Sequence, residues 1–480
     1  MKKHFKPLLF LALSFNTFNA FTQNNNCLCS ANLDTLIFKT EANYAGFPKK
    51  VNKVNHNTYK LLVASLKKSA ASVIEAKPCF AILSKYVQFF YDRHFNISYY
   101  NEKDVESEIV KITEADFKKR FQNKMARHQL EGIWINQDSS LKLGILQYPG
   151  QIFKAIVLEA KNPKIPSGLV YMTISRGSRG FTVKYYNSFS STQFPVNIKG
   201  NLLQGWTYEL FGKIYPTHMS NAEQKELSTW KHYNNGLDFY KISPKTAVLK
   251  IPSFANNDNT IAALISNNDS IIRSSENLIV DVTGNGGGST GWVSFLPYFM
   301  TKPIAQQNGY VRVSAENVRL KLADIEPYVL NPIPAEYEKY FPDTILSHYK
   351  KAYEELPGTK ATFYPVPGVI FPLDSITHYP KKIALVVDHL CGSSTEYFVF
   401  LSKQSDKART YGVNTFGMMD YEGASSTPLP YAGFNVSIPI VKSSWTDTKP
   451  IDKTGFSPDI DLSKIPQEQW LEYIRLTMEK

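Results

Sequence analysis

Two segments about a hundred residues apart carry residue types that could perform acyl transfer. The first is Leu278-Ile-Val-Asp-Val-Thr-Gly-Asn-Gly-Gly-Gly-Ser289; the second is Cys391-Gly-Ser-Ser-Thr-Glu396, which follows the apolar residues 383–387. Each pattern predicts a buried strand, a turn of small residues and then a helix. The glycines can offer backbone N–H groups to an oxyanion, and the second turn offers a serine hydroxyl as nucleophile.

Both turns also have a purely structural interpretation. The run of glycines after Thr283 can be a tight turn, and a phosphate-binding loop is disfavoured because no Gly-Lys-Ser/Thr follows it. Ser393 and Ser394 can simply cap the helix that follows, a position where serine is common. Glu396 would then be a first-turn carboxylate that the helix dipole favours.

Three segments together resemble the C-terminal-processing (tail-specific) and tricorn-type serine peptidases. They are LIVDVTGNGGGS, IALVVDHLCGSSTEYF and YGVNTFG, and the resemblance covers roughly residues 245–465. It implies that Ser393 is the nucleophile and that the N–H of Ser394 and a glycine N–H, best carried to Gly286 or Gly287, hold the oxyanion. It further implies the αββ-repeat core that the family shares with crotonase-like enzymes, and no required cofactor.

The general base distinguishes two branches of this family. The tail-specific branch uses a lysine in F-G-K, where this chain has Phe416-Gly-Met-Met419, so Met418 occupies the lysine position and a Ser–Lys dyad is not expected. The tricorn-like branch uses a histidine from the helical N-terminal part. Asp92-Arg-His-Phe95 resembles its D-G-H-T segment, which implies His94 as the base, with Arg93 in place of the glycine.

The same branch has an acid near the end of the chain. Ile451-Asp-Lys-Thr-Gly-Phe-Ser-Pro-Asp459 resembles its E-N-x-G-V-x-P-D segment and implies Asp452 as the acid, one methylene shorter than glutamate. A histidine with an ordinary pKa of about 6.5 can accept the serine proton near neutral pH. His389, four residues before Ser393, is an alternative base. The sequence leaves open whether Asp452 contacts His94 directly.

The apolar pattern predicts an α+β chain of several domains. Residues 1–22 have the charged start and short apolar centre of an export signal. Residues 23–128 should form a helical domain, 129–245 an antiparallel β domain and 246–480 the catalytic domain. The β domain occupies the position of a peptide-binding PDZ domain in many relatives, without a convincing Gly-Leu-Gly-Phe loop. Within the catalytic domain, strands are predicted at 246–251, 278–283, 383–387 and 409–413, and helices at 259–274, 394–404 and 467–480.

Composition narrows the class of protein further. A chain of 480 residues with 43% hydrophobic and 20% charged residues is folded and contains more than one domain. The net charge of +12 comes from scattered basic residues, so nucleic acid is not an expected partner. No apolar stretch is long enough for a membrane span, and no CxxC or HExxH pattern indicates a metal site.

An exported chain, periplasmic or extracellular, can join Cys79 to Cys27 or Cys29, whereas Cys391 is expected to be a buried packing residue.

These features predict an exported serine peptidase that acts on a peptide or protein through Ser393 and His94. Two alternatives remain open. In the first, the chain has lost catalysis and binds peptides or apolar ligands, which the departures at Met418 and Arg93 allow. In the second, the same nucleophile hydrolyses esters or amides that are not peptides. The sequence does not give the oligomeric state.

Overall fold

The computed structural model describes most of the chain. The described residues are 27–480 except 106, 123–127, 178–179, 207–208, 231–235, 307–308 and 336–337. The predicted export signal at 1–22 lies outside the described residues. Among the helices within the described part, none has the length and apolar character needed to cross a membrane.

The N-terminal segment packs its first four helices around a core rich in aromatic side chains, and its fifth helix packs against the strands that follow. Its elements are α1 (Cys29–Asn43), α2 (Phe47–Lys50), α3 (His56–Ala70), α4 (Ala76–Gln88), β1 (Asn96–Tyr99) and α5 (Glu114–Gln122). The apolar stripe of α4, including Leu83, Tyr86 and Val87, is buried against α1 and α3. A disulfide joins Cys29 to Cys79, which selects one of the two predicted pairings, and links α1 to α4.

A closed antiparallel barrel follows. The strands of this segment are β2 (Gly132–Asn136), β3 (Leu141–Tyr148), β4 (Ile152–Ala160), β5 (Val170–Gly177), β6 (Gly180–Tyr185), β7 (Phe189–Ser190), β8 (Phe194–Lys199), β9 (Leu202–Gly205) and β10 (Glu209–Tyr215). All except β7 form the barrel, in the order β10-β2-β3-β4-β5-β6-β8-β9. Alternate side chains such as Leu143, Ile145 and Ile174 fill its interior, as expected for a small barrel. The segment is therefore antiparallel β structure, as the alternating pattern predicts.

The remaining elements build a layered α/β region and its insertions. They are α6 (Asn221–Thr229), β11 (Asp238–Lys241), β12 (Thr246–Lys250), α7 (Asp258–Ser274), β13 (Asn277–Asp281), α8 (Leu296–Phe299), β14 (Ile304–Ala305), β15 (Gly309–Arg312), α9 (Ala315–Leu330), α10 (Asp343–Glu355), β16 (Phe363–Val366), β17 (Ile370–Phe371), β18 (Lys382–Val387), α11 (Ser394–Ser402), β19 (Ala408–Gly412), β20 (Tyr421–Pro428), β21 (Phe434–Lys442), β22 (Ile460–Asp461) and α12 (Trp470–Met478). The strands and helices predicted in this part are confirmed to within a few residues, except that the last helix opens with a 3-10 turn at Gln467–Gln469.

A six-stranded sheet places the two glycine- and serine-bearing turns side by side. Its order is β11-β12-β13-β18-β19-β22, and every pair except β11–β12 is parallel. Strands β13 and β18 are neighbours, with Asp281 opposite Val386 at their carboxyl ends. Both strands are buried on both faces, which explains their continuous apolar runs. The loops that follow them therefore leave the same edge of the sheet.

A second sheet brings the N-terminal segment to that edge. Its main order is β16-β15-β21-β1-β7. Strand β20 is outside this order and pairs with β21 along most of its length. Strand β1 lies antiparallel to β21, with Ile97 opposite Val436. The segment predicted to be helical therefore also contributes a strand, and this strand fixes the position of the residues just before it, including His94.

Candidate active site

The loops after β13 and β18 are hydrogen-bonded to each other. Gly284 N–H donates to Asp388 Oδ1 at 3.0 Å, and Gly392 N–H donates to the Asn285 carbonyl at 3.1 Å. Asp388 Oδ1 also accepts from Leu390 N–H at 3.0 Å, so one buried carboxylate organises both turns.

Glycine is required where the first loop touches the second. Gly287 has φ +97°, and a Cβ there would lie 2.7 Å from Ser393 Cβ and 2.8 Å from Ser394 N. Its N–H donates to Asn285 Oδ1 at 2.9 Å, so this predicted oxyanion donor is already engaged. Gly286 and Gly287 are buried, whereas Gly288 is exposed and lines the cavity that also contains Ser393.

Ser393 has an unusual backbone conformation at the start of α11. Its φ of 52° and ψ of −124° fall in a region that glycine prefers, and such a conformation costs roughly 1–3 kcal/mol in a non-glycine residue. Although Ser393 occupies the N-cap position, its side chain makes no capping hydrogen bond. The helix-capping interpretation of its hydroxyl is therefore wrong. Ser394 Oγ is used differently: it donates to the Ser289 carbonyl at 2.7 Å and accepts from Trp292 Nε1 at 3.1 Å.

His94 lies beside Ser393 with both ring nitrogens hydrogen-bonded. Nε2 is 3.1 Å from Ser393 Oγ, and Nδ1 is 2.8 Å from the Tyr421 carbonyl oxygen. A carbonyl can only accept, so Nδ1 carries the proton and Nε2 of the neutral ring is free to accept from the serine hydroxyl. The two side chains expected to act as nucleophile and base are thus within hydrogen-bond distance of each other.

The protonation of His94 is set by its surroundings. Burial lowers the pKa of its imidazole, and hydrogen bonding to the backbone carbonyls of Tyr421 and Met418 opposes that effect. Because burial dominates, the neutral form, which a general base needs, is favoured near neutral pH. The alternative base, His389, lines a different cavity and faces the barrel, with Nε2 3.7 Å from where a Cβ on Gly180 would lie.

Asp452 does not touch the ring of His94. Its carboxylate forms an ion pair with Lys50, and its N–H donates to Asp420 Oδ2 at 2.9 Å. Burial and, to a lesser extent, the neighbouring charge of Asp92 raise the pKa of Asp452 to about 6. Asp92 itself accepts the His94 backbone N–H on Oδ1 at 2.9 Å. Of these carboxylates, Asp92 therefore contacts His94, and it does so at the backbone N–H.

The two departures from the resembled segments, Met418 and Arg93, both lie at the loop of residues 416–418. Met418 is buried, and its N–H donates to Glu396 Oε2 at 2.9 Å. Arg93 donates to the Phe416 and Gly417 carbonyls and stacks 3.5 Å from the centre of the Phe416 ring. The side chains of Arg93 and Glu396 therefore hold residues 416–418 in place.

The barrel contacts the serine-bearing turn directly. Trp206 Nε1 donates to the Leu390 carbonyl at 2.8 Å, and its ring packs against Phe416 at 5.6 Å between centroids. Trp206 and Asp92 also position the site, although the sequence assigned no such role to either residue. Only Asp92 carried a signal, since it stands two residues before His94.

Comparison with known proteins gives the class of this site. Residues 245–462 match the model of Peptidase family S41. The protein is a serine-type peptidase, a hydrolase. The matched region contains Ser393, the glycine loop and Asp452. None of the curated proteins matches the sequence significantly.

Two solved structures share the fold over nearly the whole chain. Mature CPAF is 12% identical, with a TM-score of 0.53, and the alignment covers 94% of this chain and 97% of that one. Mature CPAF complexed with lactacystin is also 12% identical, with a TM-score of 0.50 and coverage of 94% and 98%. At this identity the likeness concerns the fold, including the segments on both sides of the matched region.

Proposed function

We propose that the protein hydrolyses peptide bonds with Ser393 as nucleophile and His94 as general base. The observation that carries this proposal is the hydrogen-bond chain from Ser393 Oγ through His94 Nε2 and Nδ1 to the Tyr421 carbonyl. It gives the hydroxyl an acceptor of the correct tautomer, which is the requirement for an activated serine. The same contact favours catalysis over the alternative of an inactive peptide- or apolar-ligand-binding module.

The proposed reaction follows from this chain. The Ser393 proton moves to Nε2 as Oγ attacks the scissile carbonyl, and a tetrahedral oxyanion forms. The protonated His94 then donates its Nε2 proton to the leaving amine, so that the C–N bond breaks and an acyl group remains on Ser393. Water, deprotonated by His94, releases the acid and restores the serine. No other proton carrier is needed.

The oxyanion would be held by backbone N–H groups. Ser394 is the first residue of α11, where an N–H has no intrahelical acceptor and the helix dipole favours negative charge. We propose Gly288 as the second donor, because it is the exposed glycine of the loop and lines the same cavity as Ser393. Gly286 and Gly287 stay predicted donors, and the N–H of Gly287 would first have to release Asn285 Oδ1.

Asp452 would act as a positioning residue for His94. It binds Lys50, whose positive charge favours the ionised form of Asp92, and Asp92 accepts the His94 backbone N–H. Through this sequence of contacts Asp452 fixes the base without touching its ring. The arrangement supports a tricorn-like rather than a lysine-dependent mechanism, and the parallel strands that carry both loops are consistent with a crotonase-like core.

We also propose that the protein is exported. The support is the signal-like sequence at 1–22 and the Cys29–Cys79 disulfide, since disulfides persist mainly in oxidising compartments.

A peptide or protein is the proposed substrate. A cavity of about 500 Å³ contains Ser393 and His94, and another of about 690 Å³ adjoins His94 from the barrel side. A chain that crosses the dyad would have room on both sides of the scissile bond.

Peptide hydrolysis is tested by comparing casein with small esters. The purified mature chain should release peptides from casein, and Ser393→Ala should reduce that release by at least about 10³-fold while circular dichroism stays unchanged. Equal casein turnover by wild type and Ser393→Ala would contradict the proposal. Turnover of p-nitrophenyl esters without casein cleavage would instead assign a non-peptide hydrolase.

Activity should persist to a lower pH than an ordinary histidine allows. The pKa of His94 is lowered by burial, the base works only when neutral, and kcat/KM therefore falls only below this lowered pKa. The acid limb should have its midpoint below about 6.5. Titration of ¹³C-labelled histidine, with the His94→Gln spectrum for assignment, should give the same midpoint. A His94 midpoint at or above about 6.5 would contradict this assignment.

A further inference from the structure

The cavity that contains Ser393 has an acidic side chain in its wall. Glu422 follows Tyr421 in strand β20, and Tyr421 is the residue whose carbonyl holds His94. Successive strand residues alternate in direction, and Glu422 lines the cavity together with Ser393, His94 and Gly288. The carboxylate is thus one residue along the chain from a group that orients the base.

Room for this carboxylate is provided by a glycine of β15, a strand that lies across β21 from β20. A Cβ at Gly309 would lie 3.3 Å from Glu422 Oε1 and 2.6 Å from Val441 Cγ1. Glu422 is half-buried, and within the described part of the chain no group donates a hydrogen bond to its side chain. An ionised carboxylate held in this way is short of partners, because a buried charge normally needs a counter-charge or donors.

The one cationic side chain in the described lining of this cavity is already paired. Lys321 Nζ lies 2.8 Å from Asp324 Oδ2, and its side chain is only 15% exposed. Burial raises the pKa of Glu422, and the charge of Lys321 opposes that rise and so helps to keep the carboxylate ionised. Lys321 therefore favours the charge on Glu422 while its own ammonium is directed to Asp324.

We propose that Glu422 selects a substrate with a lysine or arginine side chain beside the scissile bond. This inference rests on the proposed peptidase function and adds its substrate class. A basic side chain in the 500 Å³ cavity would supply the donors and the positive charge that Glu422 lacks. A neutral side chain of similar length would leave the carboxylate unpaired, so the preference arises from the cost of that unpaired charge.

The test uses internally quenched peptides built on one casein sequence that the protein cleaves. Each residue that flanks the scissile bond is varied in turn as lysine, glutamine or glutamate, and kcat/KM is measured. The wild type should prefer lysine over glutamine at one of these positions by about 30-fold or more. Glu422→Gln should remove that preference, with a lower kcat/KM for lysine-containing peptides, and Glu422→Asp should retain part of it. Glu354→Gln, which removes an exposed carboxylate from α10, should change nothing.

The outcomes separate this inference from the function on which it rests. If Glu422→Gln keeps the wild-type lysine preference, or if no position prefers lysine, the inference is overturned while the peptidase function stands. If the wild type cleaves no peptide and reacts with no fluorophosphonate, the peptidase function fails and the inference fails with it. If Glu422→Gln also fails to cleave peptides with neutral side chains, Glu422→Asp provides the test. A lysine preference in Glu422→Asp supports the inference, and no lysine preference in that variant overturns it.

Discussion

Replacing His94 by alanine should lower kcat by about 10⁴- to 10⁶-fold, with little change in overall structure. The reason is that Nε2 is the acceptor 3.1 Å from Ser393 Oγ, and the Tyr421 carbonyl fixes the tautomer that leaves this nitrogen unprotonated. Without the ring, the serine hydroxyl has no base at neutral pH. The oxyanion donors and the substrate cavity would remain and account for the residual rate.

A nearby histidine provides the matched control. His389 precedes Ser393 by four residues but lines a different cavity, so His389→Ala should keep wild-type kcat. Both variants would be compared by casein turnover and by circular dichroism. Loss of activity in His389→Ala with retention in His94→Ala would move the base to the nearer histidine and refute the proposed dyad.

Replacing Glu396 by alanine should destabilise the fold by about 3 kcal/mol or more and also reduce activity. Its buried carboxylate accepts from Thr415 Oγ1 at 2.5 Å, Gly417 N–H at 2.7 Å and Met418 N–H at 2.9 Å. Removing it takes away the acceptor that these three donors share in a buried place. The loop they belong to contributes the Met418 carbonyl near His94, so its loosening should also disturb the base.

Urea unfolding followed by fluorescence measures this effect. Glu326→Ala is the control, because Glu326 is an exposed residue of α9 and its removal should change the unfolding free energy by no more than about 0.5 kcal/mol. Glu396→Gln should lie between wild type and Glu396→Ala, since its amide can accept on one oxygen but meets a second donor with its NH₂ group. Equal stability of Glu396→Ala and wild type would show that the three donors find other partners.

The sequence predicts the sheet and its two loops well because their signals are local. Apolar runs at 278–280 and 383–387 indicate strands buried on both faces, and small residues shortly after them indicate turns at one edge. Family resemblance then assigns roles to Ser393, His94 and Asp452, and the first two prove to lie in contact. The capping alternative for Ser393 is wrong because its hydroxyl makes no capping hydrogen bond and lies beside His94 instead.

The parts that could not be predicted depend on contacts between distant residues. His94 and Tyr421 are 327 positions apart, and the Tyr421 group involved is a backbone carbonyl, which every residue possesses. Glu396 looked like a first-turn carboxylate that interacts with its own helix, yet it binds a loop about twenty residues away. Closure of the barrel likewise depends on the pairing of β10 with β2, which alternating apolar residues do not specify.

The most direct test of the proposed dyad is covalent labelling with a fluorophosphonate probe, followed by intact mass and peptide mapping. The proposed chemistry predicts a single adduct on Ser393, absent in Ser393→Ala and slowed by at least about 10³-fold in His94→Ala. His389→Ala should label at the wild-type rate. An adduct on another residue, or labelling of Ser393 that is equally fast without His94, would contradict the assignment of Ser393 and His94 as nucleophile and base.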